Sequence, residues 1–145
     1  MTQIRLEIIT PERVVFQGEA DSVSLPTPDG EITILPHHIP LISIVVAGSV
    51  MVRKGKEEQL FAVSRGVIEV DGKSIRVLTE TADRAADLQE EAIEKAKKAA
   101  ETLLKEKQND VEGFAEATAI LERELARLQV ARRHRSRRGM PHIET

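Results

Sequence analysis

Turn-forming residues divide this chain in two. Five of its six prolines and six of its eight glycines lie at or before Gly72, and the next forty residues, 73–112, contain neither. Proline removes a backbone donor and fixes φ, while glycine supplies the positive φ of tight turns, so the first half cannot run as long helices. The second half is free to do so, with no interruption before Gly113.

In the first half, short Val- and Ile-rich runs alternate with turn signals, the pattern of an all-β sandwich or barrel of about eight to ten strands. Ile4-Arg5-Leu6-Glu7-Ile8 alternates cleanly, and Thr10-Pro11 ends that strand. Pro28-Asp29-Gly30 reads as a turn, and Lys54-Gly55-Lys56 and Asp71-Gly72 read as hairpin tips. The apolar run Leu41 to Val46 is continuous, which predicts a strand buried on both faces. Ile32 to Val52 spans 21 residues without Lys, Arg, Asp or Glu, but Pro36, Pro40 and Gly48 break it. It therefore reads as strand, turn and strand rather than a membrane span.

The second half predicts an antiparallel two-helix hairpin, making the whole an α+β chain. The first helix is expected to start near Asp87, with Glu90 as its capping partner, and to carry Leu88, Ala92, Ala96, Ala99 and Leu103 on one stripe. Asn109 and Glu112 repeat the capping signal for a helix that carries Phe114, Ala117, Leu121, Leu125 and Leu128. Residues 1–84 are thus expected to form the sandwich, 85–138 the hairpin and 139–145 a tail. The seam is rich in alanine, whose methyl buries far less than the ~1.5–3 kcal/mol of a leucine-sized group. Composition leaves open whether the hairpin is permanently packed or opens in exchange for a partner.

Composition narrows the chemistry. With no cysteine there is no thiolate nucleophile, disulfide framework or thiolate zinc site. Aromatic residues make up 2%, only Phe16, Phe61 and Phe114, which leaves little for bases or sugars to stack on. No Ser-His-Asp or paired-carboxylate arrangement is legible, so no catalytic residue is assigned. His37 and His38 lack a third ligand nearby, so a contact role is expected and no metal. Gly48 to Gly55-Lys56-Glu57 has the wrong spacing for a phosphate loop. The N-terminus has neither a basic stretch before an apolar run nor a cleavage site, so no secretory signal is expected.

Charge is uneven although the net value is −3. Arg127, Arg132, Arg133, Arg135, Arg137 and Arg138 follow one another with no acidic residue between them. As solvated charges they would complement the helix dipole; as a docking element they would pair with carboxylates or phosphates. Nucleic acid is the alternative partner, disfavoured by the acidic remainder of the chain and the scarcity of aromatics.

The stretch Pro26-Thr27-Pro28-Asp29-Gly30-Glu31-Ile32-Thr33-Ile34-Leu35-Pro36-His37-His38-Ile39-Pro40-Leu41 resembles the signature of epsilon subunits of F-type ATP synthases, a Gly-Glu pair followed by a Pro-x-His-x-Pro-Leu loop. Val46-Ala47-Gly48-Ser49-Val50, Ser64-Arg65-Gly66-Val67-Ile68-Glu69-Val70 and Thr81-Ala82-Asp83-Arg84 resemble later parts of that family. The resemblance implies a non-catalytic central-stalk subunit that couples proton translocation to ATP synthesis. Its sandwich would grip the gamma subunit and the c-ring, with Glu31 and His38 at the interface. Its helices would extend into the alpha/beta catalytic head and block ATP hydrolysis, with Arg123, Arg127, Arg132 and Arg133 facing acidic segments there. The resemblance also implies a peripheral place on the cytoplasmic side of a bacterial plasma membrane, and no cofactor. Some members bind ATP through Ile or Leu, Asp, two variable residues, Arg and Ala. Here Leu88-Gln89-Glu90-Glu91-Ala92-Ile93 lacks both the Asp and the Arg, so weak or no ATP binding is expected. His37 and Arg65 also depart from the family, where glycine or asparagine and glycine are usual.

Overall fold

The computed structural model describes residues 2–139, with side chains as far as Ser136. Arg137, Arg138 and the 139–145 tail therefore lie wholly or in their side chains outside what can be described. Ten strands precede two helices: β1 Ile4–Ile9, β2 Val14–Ala20, β3 Ser22–Thr27, β4 Gly30–Ile34, β5 Leu41–Val45, β6 Gly48–Lys54, β7 Glu57–Val63, β8 Gly66–Val70, β9 Ser74–Thr79 and β10 Ala82–Arg84. A 3-10 turn, Ala85–Asp87, leads to α1 Glu90–Glu106 and α2 Val111–Gly139.

The strands form two five-stranded sheets, β2-β1-β9-β8-β5 and β10-β7-β6-β3-β4. All described pairings are antiparallel except β1 with β9. Alternation along the strands sends Ile4, Leu6, Ile8, Val23, Leu25, Ile34, Ile68, Ile75 and Val77 into one fully buried core between the sheets. The hairpin tips fall where glycine permits them, with Gly55 at φ 62° and Gly72 at φ 93°. No helix is long and apolar enough to cross a membrane among the described residues.

The strand buried on both faces is not where the sequence pattern put it. β5 is a sheet edge with Ile42 and Ile44 exposed to 77% and 54%. Double burial falls instead on β6 and β7, where Met51, Leu60 and Ala62 point away from the core and are covered by Val130 of α2 and by Ala85. An apolar run fixes that both faces are hydrophobic; it does not say that both are covered within the chain.

α1 also differs from expectation. The 3-10 turn and an extended Leu88 and Gln89 delay its start to Glu90, and Gln89 makes no side-chain cap. Its inward stripe is Ile93 and Ala100, with Ala96 half-buried and Ala92 and Ala99 exposed. α2 starts at Val111, one residue later than the Asn109 cap implied, and it has two neighbours. Ala117, Leu128 and Ala131 are buried on its α1 side and Val130 on the sheet, leaving Phe114 and Leu125 41% and 44% exposed. A helix covered from two directions buries a wider arc than a two-helix seam requires.

The join between sandwich and helices is pinned by Arg84. Its guanidinium lies 5.9 Å from the Phe16 ring centroid and 5.6 Å from that of Phe61, donates to the Val15 carbonyl at 3.0 Å, and reaches Gln59 Oε1 at 3.3 Å. The two rings meet edge to face at 5.5 Å. Each cation–π contact is worth ~0.5–1 kcal/mol or more once desolvated, so two of the three aromatic residues serve to hold the last residue of β10.

Candidate docking surfaces

The outer face of the first sheet is organised by register. Val14, Ile9, Leu78, Val67 and Ile44 are successive cross-strand partners on β2, β1, β9, β8 and β5, so one apolar row crosses all five strands. The neighbouring row reads Gln17, Glu7, Arg76, Glu69 and Ile42. It is held by Gln17 donating to Glu7 at 3.1 Å and by Arg76 near Glu7 at 3.7 Å and Glu69 at 3.9 Å. The apolar row opens into a groove of about 610 Å³ between Ile9, Pro11, Ile44, Val67 and Leu78. Gly66 sets the groove floor: a Cβ there would stand 2.0 Å from the Leu78 carbonyl oxygen, so no other residue allows β8 and β9 to come this close.

Glu31 and His38 are both at the surface but are not neighbours. Glu31 is the second residue of β4, paired with Pro26, whereas His38 lies in the turn beyond Ile34 at the far end, with roughly 10 Å of strand between Glu31 and Ile34 at ~3.3 Å per residue. The turn at His38 closes with its N–H donating to the Leu35 carbonyl at 3.2 Å, with Pro36 and His37 at the corners. His37 has φ 68°, the left-handed conformation that favours glycine or asparagine. Leu35 and Ile39 flank the turn with 56% and 74% of their surface exposed.

The arginines of α2 are not an isolated basic tip. Arg132 meets Glu94 at 3.0 Å and Glu90 at 3.7 Å, and Arg135 meets Glu90 at 3.0 Å. These contacts join the start of α1 to the end of α2, as an antiparallel hairpin requires. Arg127 pairs with Asp83 of β10 at 3.1 Å, at an angle outside hydrogen-bond geometry, and donates to both oxygens of Glu124 at 3.3 Å. Arg123 holds the same Glu124 carboxylate at 3.1 Å. Glu124 is 1% exposed. A carboxylate so placed demands its cations, since removing one partner from a buried pair costs roughly 3–5 kcal/mol. Arg133 is exposed and has no ion pair recorded among the described residues.

Comparison with known proteins gives this architecture a family. Residues 3–85 match the model described as the ATP synthase delta/epsilon chain β-sandwich domain. The ATP synthase epsilon chain of Halalkalibacterium halodurans is 36% identical over 133 residues, covering 92% of this chain and all of the relative. The chain belongs to the ATP synthase epsilon subunits. Another relative, the epsilon chain of Xanthomonas euvesicatoria, is 39% identical across 98% of this chain and 100% of its own length. A chain of the Euglena gracilis mitochondrial ATP synthase, in a structure that includes the c-ring, shares the fold with a TM-score of 0.71 at 19% identity, over 84% of this chain and 77% of that one.

For an epsilon subunit, sequence reasoning missed the apolar row. Its members come from five separate strands, and only cross-strand register aligns them. The signal for it in the sequence is the continuous hydrophobicity of Leu41 to Val46, which predicts cover on both faces without saying that the cover comes from this chain. The acids that face the arginines were missed for the same reason: Glu90 and Glu94 stand 38 or more residues before their partners.

Proposed function

We propose that this epsilon subunit is a rotor-stalk component with no catalytic residue or cofactor of its own, which couples proton translocation to ATP synthesis and restrains ATP hydrolysis. The observation that carries this reading is the apolar row Val14, Ile9, Leu78, Val67 and Ile44, a continuous hydrophobic strip on a sheet face that the other described residues leave exposed. Exposed contiguous apolar surface of this kind marks a protein interface. Residues 1–84 dock there on the gamma subunit, with Glu31, His38 and the exposed Leu35 and Ile39 turned to the c-ring.

Residues 85–138 act as the brake. When extended, they present Arg123, Arg127, Arg132 and Arg133 to acidic surfaces of the alpha/beta catalytic head. The relatives' common designation as ATP synthase epsilon chains supports this division of labour, and nothing comparable supports a nucleic-acid partner. The subunit sits peripherally, on the cytoplasmic side of a bacterial plasma membrane.

The test is ATP hydrolysis by a synthase head depleted of this subunit, after adding back the full chain or residues 1–84. Both should bind and only the full chain should inhibit. Charge reversal of Arg127, Arg132 and Arg133 together should relieve inhibition. Because reversing Arg127 also strands Glu124, the Arg132 and Arg133 pair is assayed separately. Binding of neither form would overturn the assignment.

A further inference from the structure

We propose that α1 is an internal decoy for the arginine face of α2, so that closing the hairpin and docking its arginines compete for the same guanidinium groups. This rests on the reading of that face as a docking element and adds how it is regulated. Glu90 and Glu94 stand one helical turn apart, and Arg132 and Arg135 stand three residues apart, so the two pairs mesh as facing rows across the seam. Any acidic surface that takes these arginines must first displace the carboxylates of α1.

The contacts are built to be displaced. Arg132, Arg135 and Glu94 have 52%, 69% and 51% of their side-chain surface exposed and Glu90 25%, so every pair has at least one well-solvated partner and is weakened by salt. The apolar seam beneath them centres on Ile93, Leu128 and Ala131 with Leu88 alongside, and elsewhere its buried residues are small, Ala100 and Ala117. Ion pairs thus form a larger share of the closure here than between leucine-rich helices. Arg127, deeper and tied to Asp83 and Glu124, holds the base of α2 to the sandwich, while Arg132 and Arg135 hold α1.

The decoy makes a prediction with an unusual sign pattern. Removing the acids or removing the arginines should both open the hairpin, yet the two changes should act oppositely on inhibition, because only the first leaves the docking groups intact. The chain has no cysteine, so dyes can be placed at Lys56→Cys and Gln108→Cys without background labelling. Energy transfer would then report opening in the full chain as salt rises from roughly 0.02 M to 0.5 M, shortening the screening length from about 20 Å to about 4 Å.

The wild-type chain should open with salt. Glu90→Gln/Glu94→Gln and Arg132→Gln/Arg135→Gln should each start about threefold to tenfold more open and respond less to salt. Added to the depleted head at saturation, the glutamate variant should inhibit to a greater extent than wild type and the arginine variant to a lesser extent. An unchanged open fraction in both variants would overturn the ion-pair closure. An opened glutamate variant that inhibits no better than wild type would overturn the competition. Failure of every chain, wild type included, to bind the head would instead sink the functional assignment, and the energy-transfer result would stand apart from it.

Discussion

Replacing Ile44, Val67 and Leu78 together by alanine removes the β5 end and the middle of the apolar row while leaving the core of the sandwich intact. The three side chains are 54%, 39% and 36% exposed, together a little more than one fully exposed aliphatic residue. Covering that much surface with a partner is worth ~2–4 kcal/mol at ~1.5–3 kcal/mol per side chain. Alanine keeps each Cβ, so the loss on truncation is roughly 1.5–2.5 kcal/mol, a weakening of about 10- to 70-fold in Kd. The assay is calorimetric titration of the chain into a rotor subassembly lacking this subunit, at a temperature where circular dichroism shows the variant fully folded. A weakening below about threefold in a folded variant would refute the row as the docking strip. Truncating Val14, at the far end and 51% exposed, then measures how far the footprint runs.

Three further outcomes are expected. Gly66→Ala drives a Cβ to 2.0 Å from the Leu78 carbonyl and 2.8 Å from the Thr79 Cα, so β8 and β9 must separate. A destabilisation of about 3 kcal/mol and a fall of roughly 10 °C or more in Tm should follow, and a melting point within about 3 °C of wild type would refute the close approach. The Gly55 amide on Asp21 and the Lys73 and Ser74 amides on Asp71 hold both carboxyls below their ordinary value of 3.8. Stability from these groups is present above pH ~4 and lost as pH falls through the lowered values, so Asp21→Asn/Asp71→Asn should flatten the acid limb of stability against pH in urea melts. Titration with ATP should show weak or no binding, because Gln89 and Ala92 stand where the nucleotide motif has Asp and Arg. Tight calorimetric binding would contradict this.

The fold was legible to the extent that it is written in local pattern. Glycine, proline and Asp-Gly punctuation located the turns, and the break after Gly72 anticipated the change from strands to helices. Patterns that depend on a third neighbour were not legible. Whether Leu41 to Val45 or Met51 and Leu60 would be covered depends on where α2 comes to rest, which no single strand records. The shift of the α1 stripe from Ala92 and Ala99 to Ile93 and Ala100 has the same origin, since the buried face of α1 is the one that meets Leu128 and Ala131 of α2. At the candidate sites, the arginines were visible as a run, but their partners were not, because cross-helix pairing is set by the seam. The His37 departure, by contrast, acquires a physical meaning only with its φ of 68°, which shows why glycine or asparagine is the easier occupant.

The Arg84 clamp bears on how the proposed brake would be delivered. With the end of β10 fixed between two phenylalanine rings, only residues 85–89 separate the anchored sandwich from α1. Five residues span at most about 17 Å, so an open hairpin remains leashed to wherever the sandwich is seated. In the proposed role its encounter with the catalytic head would be intramolecular, at an effective concentration in the millimolar range for a short flexible tether. A set of salt-screened arginine contacts too weak to hold two free proteins together is sufficient under that leash. In the proposed role, once the sandwich is seated, the strength of the brake would follow the fraction of open hairpin and the reach of the tether.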